Sequence, residues 1–212
     1  MVYLPPHFTE ARPEVLAAHL ERHDFALIVS QGKGGLIASH VPVMVEYDGP
    51  QLHLLAHLAR PNPQLADLAD AEALAIFSGP HAYISPSWYE GGPAVPTWNY
   101  AAVHVYGTFE SVEDPAELLG IVRDTVRVYE AAMPRPWQLD EASAYSRGML
   151  RQIVGFRVRV GRIEGKWKLN QNHPEERRRK VVRALEQIAG DDAREVAALM
   201  REQLDGRPGE RP

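Results

Sequence analysis

The sequence predicts an α+β protein dominated by antiparallel strands that close into a barrel, with helices around it. Three observations predict this. About six short apolar segments follow one another at close spacing, each bounded by Gly, Pro or Asp turn signals. Few helical patterns interrupt them. One strongly capped helix and two amphipathic C-terminal helices supply the α component.

Pro13 followed by Val15, Leu16, His19 and Leu20 reads as a short amphipathic helix, with proline tolerated in its first turn. Residues 25–31 form a buried strand, and Gly32-Lys33-Gly34-Gly35 turns the chain. Residues 36–47 return as a second strand, with Pro42 marking an edge or bulge. After the Asp48-Gly49-Pro50 turn, residues 51–57 alternate as a third strand. Asn62 caps a short helix over residues 64–69, with Pro63 at its first position. Residues 73–86 are extended and broken at Gly79-Pro80, residues 90–93 are a loop, and residues 99–111 are a long strand. Asp114-Pro115-Ala116-Glu117 opens the best helix, as a capping box. Asp140 is expected to cap a second short one. Residues 153–163 alternate Ile153, Phe156, Val158 and Val160 with Arg157, Arg159 and Arg162, giving a half-buried strand with a basic outer face. Val181, Leu185 and Ile188, then Val196, Leu199, Met200 and Leu204, mark the two C-terminal helices, and residues 205–212 read as a frayed, disordered tail.

Composition narrows the chemistry. The 212 residues contain no cysteine, which excludes disulfides, iron–sulfur clusters, thiolate metal sites and cysteine nucleophiles. Net charge is −5, without the basic footprint of a protein that lives on nucleic acid. The start lacks the basic and apolar regions of a secretory signal, and no uncharged apolar run spans a bilayer, so a cytoplasmic protein is expected. No Walker loop, no G-x-S-x-G and no helix-turn-helix is legible. His53 and His57 share a strand face but stand ~13 Å apart, too far to chelate one ion, so no metal site is expected.

Three segments carry candidate chemistry. A strand ends at His57, runs through Arg60 and Asn62, and becomes a helix at once. Unpaired helix N–H groups beside a guanidinium suit a phosphate; an Asn62 that merely caps and an Arg60 that is merely solvated suit the same residues. Val95-Pro96-Thr97-Trp98-Asn99-Tyr100 places Trp98 and Tyr100 on one strand face and Asn99 on the other, a mixture that suits a flat aromatic ligand with a negative tail. Lys166-Trp167-Lys168-Leu169-Asn170-Gln171-Asn172 adds cations and amides that bind phosphate or carbonyl oxygen, or a solvated strand end. The run from Glu175 to Lys180 is read as a solvated helix face.

Taken in order, Met1-Val2-Tyr3-Leu4-Pro5-Pro6-His7-Phe8, His40-Val41-Pro42, His57-Leu58-Ala59-Arg60-Pro61-Asn62-Pro63, Phe77-Ser78-Gly79-Pro80, Tyr83-Ile84-Ser85-Pro86-Ser87-Trp88-Tyr89, Val95 to Tyr100 with His104 and Gly107, and Lys166 to Asn172 resemble the PaiB-like FMN-binding negative transcriptional regulators. The resemblance implies a six-stranded Greek-key split β-barrel over residues 1–172 with peripheral helices. It also implies a helical extension over residues 173–204 and a homodimer with FMN at the interface. It places Arg60 and Asn62 at the FMN phosphate and Thr97, Trp98 and Asn99 near the ring. Lys168, Gln171 and Asn172 close the site, and His40 is a further contact. Asn170 stands where the family more often has serine.

The function expected from the resemblance is a flavin-binding transcriptional regulator or sensor, with DNA as a candidate partner. The alternatives are an FMN-dependent oxidoreductase acting on a small molecule, of the pyridoxamine-phosphate-oxidase or flavin-reductase kind, and a haem-binding split barrel. No catalytic residue is legible.

Overall fold

The protein is described by a computed structural model over residues 1–68 and 71–206. Its strands are β1 (Thr9–Glu10), β2 (Phe25–Gly32), β3 (Gly35–Pro42), β4 (Met44–Asp48), β5 (Gln51–Ala59), β6 (Glu72–Ile84), β7 (Thr97–Val112) and β8 (Ile153–Lys168). Its helices are α1 (Pro13–Arg22), α2 (Gln64–Leu68), α3 (Pro115–Glu130), α4 (Ala144–Leu150), α5 (Glu175–Leu185) and α6 (Asp191–Asp205). One sheet has the order β3-β2-β6-β7-β8-β5-β4, with β1 pairing β8. The chain forms two compact units, one from Met1–His23, Phe77–His104 and Glu164–Pro212, the other from Asp24–Ile76 and Val105–Ile163.

In the second unit, β2 and β3 pair antiparallel from Phe25↔Pro42 to Gly32↔Gly35. The expected single strand over residues 36–47 is two. Pro42 has no N–H to continue the ladder, the Val43 N–H turns to Asp24 O at 2.8 Å, and β4 pairs instead with β5. That break and the two-residue β1 raise the strand number from the expected six to eight among the described residues. β5 is buried over its consecutive residues Leu52, His53, Leu54, Leu55 and Ala56, where alternation was expected, because β5 has neighbours on both sides and material on both faces. α3 lies over β8. A Cβ on Gly155 would stand 3.0 Å from Leu118 and 3.2 Å from Ile121, so glycine lets the helix approach. Asp114 caps α3 as expected, accepting from Ala116 N at 3.0 Å and Glu117 N at 2.9 Å. Asp140 does not cap α4. It accepts from Ala142 N in the preceding turn, and Ser143 is the cap, accepting from Ser146 N at 3.0 Å.

In the first unit, β1 pairs the end of β8, Thr9 opposite Lys166. α1 buries Leu16, His19 and Leu20, as its spacing predicts. His19 Nε2 donates to Phe77 O at 3.1 Å, and a Cβ on Gly79 would lie 2.5 Å from the same imidazole and 2.9 Å from Ala101 O. β6 is not broken at Gly79-Pro80. Its buried residues shift phase there, from Ala73, Ala75 and Phe77 to Pro80, Ala82 and Ile84. The C-terminal helices bury Val181, Leu185, Val196 and Met200, but Ile188 lies beyond α5 and is exposed. Asp205 is still helical. Ala69 of the short helix expected to end there, and residues 207–212 of the expected tail, lie outside the described residues.

Candidate functional site

The predicted site residues fall into two sets, one in each unit. In the first unit, β7 begins at Thr97 directly after Pro96, and strand alternation separates its neighbours. Trp98 is 53% exposed, whereas Asn99 is fully buried and donates from Nδ2 to Met200 Sδ of α6 at 3.3 Å. Asn99 Oδ1 meets no partner among the described residues. Asn99 therefore faces the helix, on the side of β7 opposite Trp98. The indole stands among the exposed rings of β6, 5.8 Å from His81 and 6.1 Å from Tyr83 between centroids.

Lys168, at the end of β8, joins this set. Its Nζ donates to Thr97 Oγ1 in a short hydrogen bond and to Trp98 O at 2.5 Å. Burial and the nearby Lys166 hold its pKa below the usual lysine range. Lys166 has a different task. It is buried, donates to Tyr3 O at 2.7 Å and lies 5.4 Å and 5.5 Å from the rings of Tyr3 and Tyr100, which ties the N-terminal segment down.

The turn after β8 is built from its own amides. Asn170 adopts φ 62°, a left-handed conformation that asparagine tolerates better than serine, and donates from Nδ2 to Tyr89 OH at 3.0 Å. That is a physical reason for asparagine here. Gln171 accepts from Leu169 N at 2.7 Å and donates to Trp167 O at 2.5 Å, so its amide locks the turn. Asn172 is exposed.

In the second unit, Arg60 donates from Nε to Arg151 O and from Nη2 to Ile153 O, each at 3.0 Å, with Nη1 3.6 Å from Glu113. Asn62 accepts from Gln64 N at 2.9 Å as the expected cap, and its Nδ2 donates to Ser39 Oγ at 3.0 Å. His40 is exposed and stacks on Phe25 at 6.0 Å. Behind Asn62, the buried Gln64 donates to Ile28 O and Ser30 Oγ, both at 3.1 Å.

Lys168 is thus brought to the Thr97 hydroxyl and the Trp98 backbone carbonyl, whereas Arg60 and Asn62 share one strand-to-helix connection but hold different partners, Arg60 the carbonyls of Arg151 and Ile153 and Asn62 the hydroxyl of Ser39. Tyr83 was not singled out in the sequence. Its signal is the alternation of His81 and Tyr83 with buried Ala82 and Ile84, which becomes visible once the segment is read as one strand. The set around Trp98 offers a flat, electron-rich aromatic surface and a fixed ammonium, which fits an electron-poor heteroaromatic ring with polar carbonyl edges. At Arg60 the guanidinium is engaged by two carbonyls and lies near Glu113, and the Asn62 amide is engaged by Ser39 and Gln64. Among the described residues, no group of three or more His, Asp or Glu is placed to hold a metal ion, and no helix is long and apolar enough to cross a membrane.

The chain matches a family described as "Putative FMN-binding domain" over residues 2–162. It is 33% identical over 207 residues to the protease synthase and sporulation protein PAI 2 of Bacillus subtilis (strain 168), covering 96% of this chain and 98% of that protein. Among solved structures it is similar to the flavocytochrome Anf3 from Azotobacter vinelandii, with a TM-score of 0.58 and 13% identity over 76% of this chain and 69% of the other. It is also similar to the FAD and heme binding protein from Mycobacterium smegmatis, with a TM-score of 0.53 and 17% identity over 76% and 73%. At these identities the structural likeness speaks for the fold, a flavin-type split barrel. The chain therefore belongs to the PaiB-like FMN-binding family, and FMN is the cofactor this membership gives it.

Proposed function

We propose that the protein is a flavin-responsive regulator, a homodimer in which bound FMN sets the affinity for a partner. The observation that carries this reading is the cluster of Lys168, Thr97 and Trp98: an ammonium fixed by a hydroxyl and a carbonyl, one residue from a half-exposed indole. A held cation favours negative charge on a flat ring next to it, and an indole excludes water from one face of that ring. FMN, when bound, supplies reversible electron transfer. The protein's share is orientation and field. Trp98 would lie against the ring, and Lys168, with the Thr97 hydroxyl it holds, would face its polar edge. Gln171 keeps the Lys168 turn in shape, with Asn172 at its rim. Asn99 anchors the strand from behind. Arg60 and Asn62, with His40 as a further contact, are assigned to the anionic end of FMN, a separate claim with a separate test below.

The regulatory half rests on PAI 2, whose name ties it to protease synthesis and sporulation. A second copy as partner is supported by the exposed Trp98 and Tyr83, large aromatics of the kind that interfaces cover. The contacts of α5 speak against it as a DNA-binding helix. Its basic run is engaged within the chain, Arg177 on Gly91 O, Arg179 on Glu175 and Asp205, and Lys180 on Glu90 and Glu176. The second reading, an FMN-dependent oxidoreductase, is favoured by the open face of Trp98, which leaves room for a small reductant.

One set of measurements on the purified protein separates them. The regulator reading predicts a flavin spectrum, and bound flavin that NAD(P)H reduces no faster than free FMN. Rapid bleaching with turnover would move the assignment to the oxidoreductase. A Soret band would move it to the haem-binding reading, which the likeness to the FAD and heme binding protein supports.

A further inference from the structure

In the first unit, residues 2–9 form a strap fastened along the end of β8. Val2 N donates to Glu164 Oε2 at 2.8 Å, Lys166 Nζ donates to Tyr3 O at 2.7 Å, and Thr9 pairs opposite Lys166. Strand alternation puts Glu164, Lys166 and Lys168 on one face of β8, and Trp98 and Tyr100 on one face of β7. These two faces are continuous. Lys168 Nζ reaches Trp98 O, and Lys166 Nζ lies 5.5 Å from the Tyr100 ring. The strap is therefore tied to the face that carries the Trp98 indole. Lys166 stands one step of two residues, ~7 Å, along β8 from Lys168.

The fastening of Tyr3 leaves its ring free for another task. Lys166 takes the main-chain carbonyl of Tyr3 and not the phenol, so the tether does not depend on the side chain. Tyr3 is 83% exposed, and little of its ring is spent on the fold. The ring is nevertheless held in place. It lies 5.4 Å from the same ammonium that faces Tyr100, so a buried cation stands between two tyrosines. An exposed aromatic ring, positioned by main-chain bonds beside a face that already bears Trp98, suits contact with a flat ligand.

We propose that Tyr3 is a further flavin contact, held by the strap on the face of Trp98 and Lys168, where the tricyclic ring of FMN is longer than the step from Lys168 to Lys166 and so reaches it. The inference rests on the flavin ring lying against Trp98 and Lys168, as assigned above. Lys166 is then a positioning residue, acting through Tyr3 and Tyr100.

FMN titration of the wild type, Tyr3→Ala and Tyr3→Phe tests this, since the main-chain tether is available to all three. Tyr3→Ala is expected to bind FMN about fivefold more weakly, Tyr3→Phe like the wild type, and both to melt at the wild-type temperature without FMN. The chain has no cysteine, so Tyr3→Cys carries a single thiol. Saturating FMN is expected to slow its alkylation by iodoacetamide, a protection that a merely structural role would not give. Wild-type FMN affinity in Tyr3→Ala, or alkylation at the same rate with and without FMN, overturns the proposal. Loss of the dimer in Tyr3→Ala at unchanged FMN affinity overturns it too and assigns the ring to a second copy. Lys168→Met, titrated in parallel, keeps the two claims apart. Weaker binding in Lys168→Met but not in Tyr3→Ala leaves the flavin site standing without Tyr3, and affinity unmoved in both removes the flavin from this face.

Discussion

His19 shows how one buried side chain ties stability to pH. Burial lowers its pKa from the ordinary 6.5 to about 4, against the smaller opposing effect of its bond to Phe77 O. The unfolded chain takes up a proton from pH 6.5 downward, whereas the folded chain resists until about 4. His19 therefore contributes its full stabilisation above pH 6.5 and loses it as pH falls towards 4, an effect on the order of 3 kcal/mol. His19→Gln keeps a donor for the carbonyl and does not titrate. Denaturant unfolding of this variant should depend less on pH across that window than the wild type does. An equal pH dependence would place the titrating group elsewhere. Arg60 makes a second prediction at this scale. With two of its donors on the carbonyls of Arg151 and Ile153, its position is fixed. Arg60→Ala should weaken FMN by about 1.5–3 kcal/mol if the cofactor's anionic end sits there. Calorimetric titration with FMN checks this, and unchanged affinity removes Arg60 from the site.

At the scale of elements, close approach is the constraint that composition conceals. Gly79→Ala would drive a methyl group into the His19 ring and the Ala101 carbonyl. Its cost should be about 1–3 kcal/mol, read as a lower melting temperature, and an unshifted melt would mean that α1 can retreat from β6. Local rules predicted the elements best where the signal is chemical and short-range. The Asp114 cap, the Asn62 cap and the Pro13 helix start all form as written, although Glu117, expected to complete a capping box, bonds Arg157 instead. They predicted less where pairing partners decide. Nothing near Pro42 says that the Val43 N–H will reach Asp24 and split one strand into two. Asp140 is as good a cap as Ser143 by residue type, and only the turn between them assigns the role. In the candidate site, Trp98, Thr97 and Lys168 could be picked out by residue type. Their meeting could not, since a hydrogen bond from residue 168 to residue 97 depends on which strands are neighbours. The burial of Asn99 against Met200 is the counterpart: alternation gave its direction, but not the helix waiting there.

At the scale of the whole molecule, a net charge of −5 and the ion pairs of Arg179 and Lys180 on α5 argue against strong non-specific binding to nucleic acid. Light scattering should report a dimer. A strict monomer would leave the exposed Trp98 and Tyr83 without the partner proposed for them. The account rests most heavily on a flavin ring meeting the ammonium of Lys168 and the indole of Trp98. The direct test is an FMN titration of the wild type and of Lys168→Met, followed by flavin fluorescence. The account predicts one FMN per chain and at least about tenfold weaker binding in the variant at an unchanged melting temperature. FMN affinity that is the same in both proteins would contradict it.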